Sequence, residues 1–477
     1  MEARLAFQIR DFKSVIEITT YMVKKDPSNA AAFEMLFFTY YELAQYTDAI
    51  DIVDKILDIY PASSVWANRA ICQMVLFKFE DALLSANKSV ELDPNNSVAY
   101  NTRGSIYKAL SRYDEALNDY KKSRELNPEP IETDLNLALL YIDILETDRA
   151  LEEFDNASKK NPYHPEIAWN KSLLLLKIGN YDDGWDLYES RWQLPRYPKP
   201  VSITVPVWDG SEELTGKTIL VFSEQGLGDT IMFSRYIDKL VELGAKVVLE
   251  VEAELSVLFK RVKGVTKIVK KGIDSRPPCD VCCPLLSLPY KFKTIVETVP
   301  PAIQLKINPN KVLQWKRYLG PKKQTRIGIV WNGNAGYATD FKRSLSFEQF
   351  VKALPLGPEY ICLQKEIKEK DQKSLKKRQD IKIINKQLND FSDTAAVIKC
   401  LDLVISTDTS VPLLSATLGV TTWILTQHST EWRWLEQQTA SPWFPDAKLY
   451  RQPTLTSGWD PVLIKVREDI EKLNSST

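Results

Sequence analysis

A chain of 477 residues exceeds one ordinary domain, and with 44% apolar residues, 12 Trp and 20 Tyr it can fill two or three cores, which excludes global disorder. Its 62 basic and 63 acidic residues nearly cancel, which argues against a dedicated nucleic-acid binder. No run reaches the ~20 apolar residues of a membrane span. The N-terminus lacks a basic stretch leading into an apolar one, and six cysteines are too few for a disulfide framework, so a soluble, cytoplasmic protein with reduced thiols is expected.

Up to residue 194 the sequence repeats. Pro27, Pro61, Pro94, Pro128 and Pro162 fall at steps of 34, 33, 34 and 34 residues. Small residues recur on a first helix (Ala70, Gly104, Ala138), Tyr113 with Ala116 between helices, and aromatics on a second (Tyr120, Phe154). This resembles the tetratricopeptide repeat, in which the small residues let paired helices nest and proline ends the second helix. Four repeats follow a leading helix over about Asp11 to Lys25. A fifth, Pro165 to Trp192, diverges: it carries Gly184 in place of alanine, then Trp185, Tyr188 and Trp192. A terminal unit has no successor to cover it, so this aromatic one reads as a docking cap. Asn68, Thr102, Asn136 and Asn170 share one position of successive first helices and read as a polar ladder for an extended peptide. Asparagine favoured there for local reasons is the more ordinary explanation.

Residues 195–216 are a proline-rich connector. Beyond it strands alternate with helices, which implies parallel sheets. Strands are expected at Thr218–Phe222, Lys246–Val251, Lys267–Val269, Asp280–Cys283, Arg326–Trp331, Tyr360–Leu363, Ile381–Ile384, Leu403–Ser406 and Thr421–Leu425. Residues 217–305 form one half of this region and 325–477 another with a closing helix, and 306–324 form a hinge. A ligand cleft between two such halves lies at the carboxyl ends of their strands.

Four stretches carry candidate chemistry. In LVFSEQGLGDTIMFSRY, Gly226 and Gly228 sit between a strand and a helix, where backbone can approach a phosphate, although a tight turn uses glycine too. Asp229 and Thr230 follow at a capping position. In WNGNAGYATDFKRSL, Gly333 and Gly336 precede Lys342 and Arg343, two cations suited to a diphosphate. Asp393 and Thr394 open one helix, and Asp408, Thr409 and Ser410 lead a strand end into another. Each is singly an N-cap, but together their helix N-termini converge on an anion.

SEQGLGDTIMFSRY, PLLSLP, the W-x-G-N loop, DFSDTAAVI, STDTSV, WRW (Trp432 to Trp434) and SPWFP together resemble the tetratricopeptide-repeat glycosyltransferases. Their C-terminal half is similar to heptosyltransferases and, more distantly, to O-GlcNAc transferase. The resemblance spans nearly the whole chain, including the GWDLYESRW cap and PVWDG (Val207 to Gly210). It implies an all-α solenoid followed by an α/β two-Rossmann (GT-B) fold, the first half on the acceptor side and the second on the donor side. It further implies a nucleotide-sugar co-substrate, inversion and no metal. Asp229 then matches the general base. The donor side comprises Gly226, Gly228, Trp331, Gly333, Asn334, Lys342, Arg343, Gln364, Asp393, Thr394, Asp408, Thr409 and Ser410. Relatives tend to read W-x-G-N-P-x-H-x-N-D and D-T-S-V-A-H, whereas Ala335, Tyr337, Thr339, Pro412 and Leu413 stand here. Two histidines that could donate to a diphosphate are thereby missing.

Other features read more plainly. Cys279, Cys282 and Cys283 have no second thiol pair or histidine near them, so buried small side chains are expected rather than zinc. His428 follows a strand, either exposed or at the cleft. Lys365 to Arg378 reads as a solvated face.

The expected function is sugar transfer from a nucleotide-sugar donor to a protein or peptide acceptor held by the repeats, that is, protein glycosylation. The alternative is an inactive transferase-like scaffold that binds proteins. Sugar, nucleotide base and oligomeric state stay open.

Overall fold

The computed structural model describes residues 2–197, 204–334, 336, 340–436 and 438–475. The chain folds as two compact units, Met1–Ile167 and Ala168–Thr477.

In the first unit, helices Glu2–Gln8 and Phe12–Lys25 lead into four helix pairs: Ala30–Glu42 with Tyr46–Ile59, Ser63–Val75 with Phe79–Leu92, Ser97–Ala109 with Tyr113–Leu126, and Ile131–Asp143 with Thr147–Lys160. The residue before each recurring proline (Asp26, Tyr60, Asp93, Asn127, Asn161) ends its helix with φ between −147° and −137°, away from the helical region that proline forbids to its predecessor. Within each pair the turn holds one residue left-handed: Ala44, Phe77, Ser111 and Leu145, at φ 57° to 61°. The small-residue positions are steric. A Cβ on Gly104 would lie 2.8 Å from the Tyr120 ring, and Ala70 and Ala138 are fully buried.

The second unit begins within helix Pro165–Lys177, continues through helix Tyr181–Tyr188 and the 3-10 turn Glu189–Gln193, and then forms two wholly parallel sheets. The first contains β1 (Thr218–Phe222), β2 (Lys246–Val251), β3 (Val265–Lys270) and β4 (Val281–Pro284), in the order β3-β2-β1-β4. The second contains β5 (Arg326–Val330), β6 (Glu359–Cys362), β7 (Ile381–Ile383), β8 (Leu403–Thr407), β9 (Thr421–Thr426) and β10 (Lys448–Arg451), in the order β10-β9-β8-β5-β6-β7. Counted from its own first strand, each sheet runs 3-2-1-4, and the second continues 5-6. By the rule for such sheets, a ligand crevice falls at their switch points, the carboxyl ends of β1 and β4 and of β5 and β8, where successive connections depart in opposite directions. Strand β10 was not among the expected strands.

Elements between the sheets set their relation within this unit. Helix Leu227–Phe233 after β1 packs on helix Ser410–Thr417 after β8, and helix Phe391–Ile398 packs against Ala253–Phe259 and Pro309–Leu319. The aromatic segment expected to act as a cap is part of this core. Trp185 meets Phe233, Trp432 and Trp443 at 6.1, 5.3 and 6.1 Å between ring centroids, and Trp443 Nε1 donates to the Tyr181 hydroxyl at 2.8 Å. Closing helix Asp460–Ser475 buries Val462, Leu463, Val466 and Ile470 in one cluster with residues of the second sheet. In the connector, Pro206 and Trp208 exchange backbone hydrogen bonds with Cys282 on β4, and residues 198–203 lie outside the described residues.

Candidate functional site

The turn after β1 has the form strand, polar loop, helix. Gly226 precedes the helix with φ −78° and ψ 164°, a conformation open to any residue. Gly228 is needed for space: a Cβ there would stand 2.9 Å from Leu413 Cδ1 and 3.4 Å from Ser410 Cα on the facing helix. Its missing side chain is thus accounted for by helix packing. Asp229 does two things. Its Oδ2 accepts the Gly226 N–H at 3.1 Å, which is helix capping, and its Oδ1 accepts from Arg433 Nη2 at 3.0 Å.

Arg433 belongs to the second half and brings the two crevices together. Its Nη1 lies 3.7 Å from Asp408 Oδ1, at the end of β8. Asp408 Oδ2 accepts from Trp434 Nε1 at 2.7 Å, whereas its buried Oδ1 accepts no hydrogen bond among the described residues. Thr409 precedes helix Ser410–Thr417 without capping it through its side chain. Glu431 stands beside these groups. Although water reaches its side chain, the protein around it pushes its carboxyl above the ordinary range, Arg433 and Arg343 pull it down, and Asp408 and Asp229 push it up. Neither Arg433 nor Glu431 was among the expected site residues.

After β5, Gly333 donates its N–H to Ser344 Oγ at 2.9 Å. A Cβ on it would lie 2.3 Å from Asp340 Oδ1 and 2.9 Å from Arg343 Nη2, so this glycine makes room for an ion pair. In that pair Arg343 Nε donates to the buried Asp340 Oδ1 at 3.2 Å, and Lys342 precedes it on the short helix Asp340–Arg343. Asn334 Oδ1 accepts the Gly336 N–H at 2.9 Å, a local turn. Ala335, Tyr337 and Thr339 lie outside the described residues.

Several expected donor contacts require correction. Trp331 is fully buried in the core of the second sheet, with its indole N–H given to Asp371 at 3.0 Å, and presents no surface to a ligand. Gln364 is buried and ties the ends of β5 and β6: its Oε1 accepts the N–H groups of Trp331 and Asn332, and its Nε2 donates to Asn332. Asp393 pairs with Lys311 at 2.8 Å and accepts from Asn389; burial works against its charge, but these partners hold its carboxyl below the usual range. The cap of that helix is Asp390, and Thr394 is a buried residue within its first turn.

In the first unit Thr102 is buried, Asn68 half-buried, and Asn136 donates to Asn101 at 3.1 Å; Asn170 belongs to the second unit. Cys282 and Cys283 are buried on β4. A ring nitrogen of His428 lies 3.1 Å from the Gln452 carbonyl oxygen. Within the basic run, Asp371 and Leu375 are buried, so that face is not wholly solvated.

The glycine loop is also fixed from behind. Arg191 of the cap is fully buried and forms two hydrogen bonds of 2.9 Å to Glu224, with Ser287 and Glu189 completing the network. Burial opposes the charge on Arg191, yet Glu224 and Glu189 outweigh it; burial also pushes Glu224 upward against the pull of Arg191. Nearby Arg235 has three carbonyl acceptors, from Met232, Pro300 and Trp443, and burial brings it down to about 10.

Residues 97–130 and 135–198 match the tetratricopeptide repeat family. Over 325 residues the chain is 26% identical to protein FlbA of Caulobacter vibrioides, covering 61% of this chain and 52% of FlbA, so it spans about half the length of that curated relative. Among solved structures it is similar to TTC0263, a tetratricopeptide protein of Thermus thermophilus, at 22% identity and TM-score 0.33, covering 35% of this chain and 91% of that one. It is also similar to PilW, described as a type IV pilus biogenesis factor, at 16% identity and TM-score 0.36, covering 40% and 90%. The chain therefore carries tetratricopeptide repeats, an architecture suited to binding proteins, ahead of an α/β region with parallel sheets. No helix of the described residues is long and apolar enough to cross a membrane.

Proposed function

We propose that the α/β unit is a glycosyltransferase of the two-Rossmann (GT-B) type, moving a sugar from a nucleotide-sugar donor to a protein or peptide acceptor presented by the repeats. The two matching strand orders support two Rossmann-like halves. The observation that carries the reading is the meeting of Asp229 from the first crevice with Arg433 and Asp408 from the second. In the reaction, the acceptor hydroxyl attacks the anomeric carbon from the face opposite the leaving group. Asp229 takes the hydroxyl proton as the new C–O bond forms. The bond from the anomeric carbon to the phosphate oxygen breaks with its electron pair retained on the diphosphate, whose charge Arg343 and Lys342 offset. Inversion follows from that single displacement.

The test is sugar transfer by the intact chain supplied with nucleotide sugars, compared with Asp229→Asn. The variant is expected to lose about 10²–10⁴-fold in rate, while its amide oxygen still accepts from Gly226 and nucleotide affinity is not reduced. Transfer at the wild-type rate in the variant removes the base assignment. A second reading, a scaffold that binds partners without turnover, is favoured by Gly228 and Gly333: both are explained by packing, so neither glycine needs a ligand. Transfer from any donor overturns it.

A further inference from the structure

We propose that Arg433 is a ligand of the donor's diphosphate and exchanges it for Asp229, so that uptake of the donor and release of the base are one event. The inference rests on the transferase reading and adds to it a residue and a coupling.

Arg433 holds two carboxylates and grips neither with both prongs. One Nη meets Asp229 at 3.0 Å and the other stands 3.7 Å from Asp408, outside hydrogen-bond distance. A guanidinium fork matches a phosphate's two oxygens better than one oxygen from each of two separate acids. The backbone carrying it is fixed: Trp432 and Trp434 on either side are buried, Trp434 Nε1 is anchored on Asp408, and the Arg433 carbonyl accepts from Ser441 Oγ at 2.6 Å. Rotation of the side chain alone can therefore carry the guanidinium from Asp229 toward the crevice beside β8. There the adjoining helix begins without a side-chain cap.

The consequence for Asp229 is direct. With Gly226 N–H on Oδ2 and Arg433 on Oδ1, both of its oxygens already accept a hydrogen bond, and the guanidinium occupies the one an acceptor hydroxyl would approach. A diphosphate that draws Arg433 away leaves Oδ1 open to the acceptor hydroxyl. The base is thereby armed only when a leaving group is in place, which disfavours proton abstraction without transfer.

The experiment is calorimetric titration of the intact chain with UDP, GDP, ADP and dTDP, at fixed salt, in wild type, Arg433→Gln, Arg433→Lys, Asp229→Asn and the Arg433→Gln/Asp229→Asn double variant. Expected are a loss of at least about tenfold in affinity for Arg433→Gln and a smaller loss for Arg433→Lys. Asp229→Asn is expected to bind about threefold or more tightly, because the guanidinium no longer has a charged competitor, and to have no such effect once Arg433 is gone. That coupling separates exchange from a structural role, and it can be read from Asp229→Asn and Arg433→Lys even if Arg433→Gln does not fold. Equal affinity in wild type and Arg433→Gln, or no tightening in Asp229→Asn, overturns the inference and leaves the transferase reading standing. No binding of any diphosphate by wild type overturns that reading and the inference together.

Discussion

The two halves of the α/β unit share one winding and differ in what stands at the carboxyl ends of their strands. The first half presents acids: Asp229 at the mouth of the turn and Glu224 behind it, the latter held by Arg191. The second presents cations, Arg343, Lys342 and Arg433, set among acids of its own: Asp340 paired with Arg343, Asp408 tied to an indole, and Glu431. Under the proposed transfer, the contrast divides labour, with proton removal on one side and the departing charge on the other.

Breaking the support of the acidic side should have the largest effect on stability. Arg191→Ala leaves Glu224 buried without its counterion, and a loss of about 3–5 kcal/mol is expected in chemical denaturation. A loss below ~1 kcal/mol would show that the cap does not hold the glycine loop. A smaller effect is expected where the two halves touch. Gly228→Ala drives a Cβ against Leu413 and should cost about 1–3 kcal/mol. Unchanged stability would mean that the helices separate readily, leaving the glycine available for a ligand.

The smallest effect sharpens the electrostatic side. Although water reaches the side chain, the surrounding protein and the neighbouring acids raise the Glu431 carboxyl, so the folded chain holds that proton more firmly than the unfolded one. Its ionisation therefore weighs against the fold, increasingly as pH rises through about 4.5 toward the raised value. Glu431→Gln should melt slightly above wild type at pH 7, and that advantage should vanish at pH 4. An advantage that is the same at both values would place Glu431 away from Asp229 and Asp408.

The solenoid was legible because period, proline and small residue agree in each unit, and each leaves a local mark: the extended residue before proline and the close approach at Gly104. Most strands were legible as runs of β-branched and aliphatic residues. Strand β10 was not, since Lys448–Arg451 is four residues with a cation at each end. Asp229 and Asp408 could be read from their strand–helix turns. Their partner could not, because Arg433 lies 204 residues beyond Asp229 and looked like a charge between two tryptophans. Trp331 was misplaced for a reason the sequence did contain. With Ile327 and Ile329 it continues a period of two on β5, and all three share the core face.

The most direct test is whether the residues around Asp229 and Arg433 hold a nucleoside diphosphate. Calorimetric titration of the intact wild-type chain against UDP, GDP, ADP, CMP and dTDP measures this without knowledge of the acceptor. Saturable binding at one site, selective for one base and competed by its sugar conjugate, is the predicted result. No response to any of them at millimolar concentration would contradict the account and leave a repeat scaffold in its place.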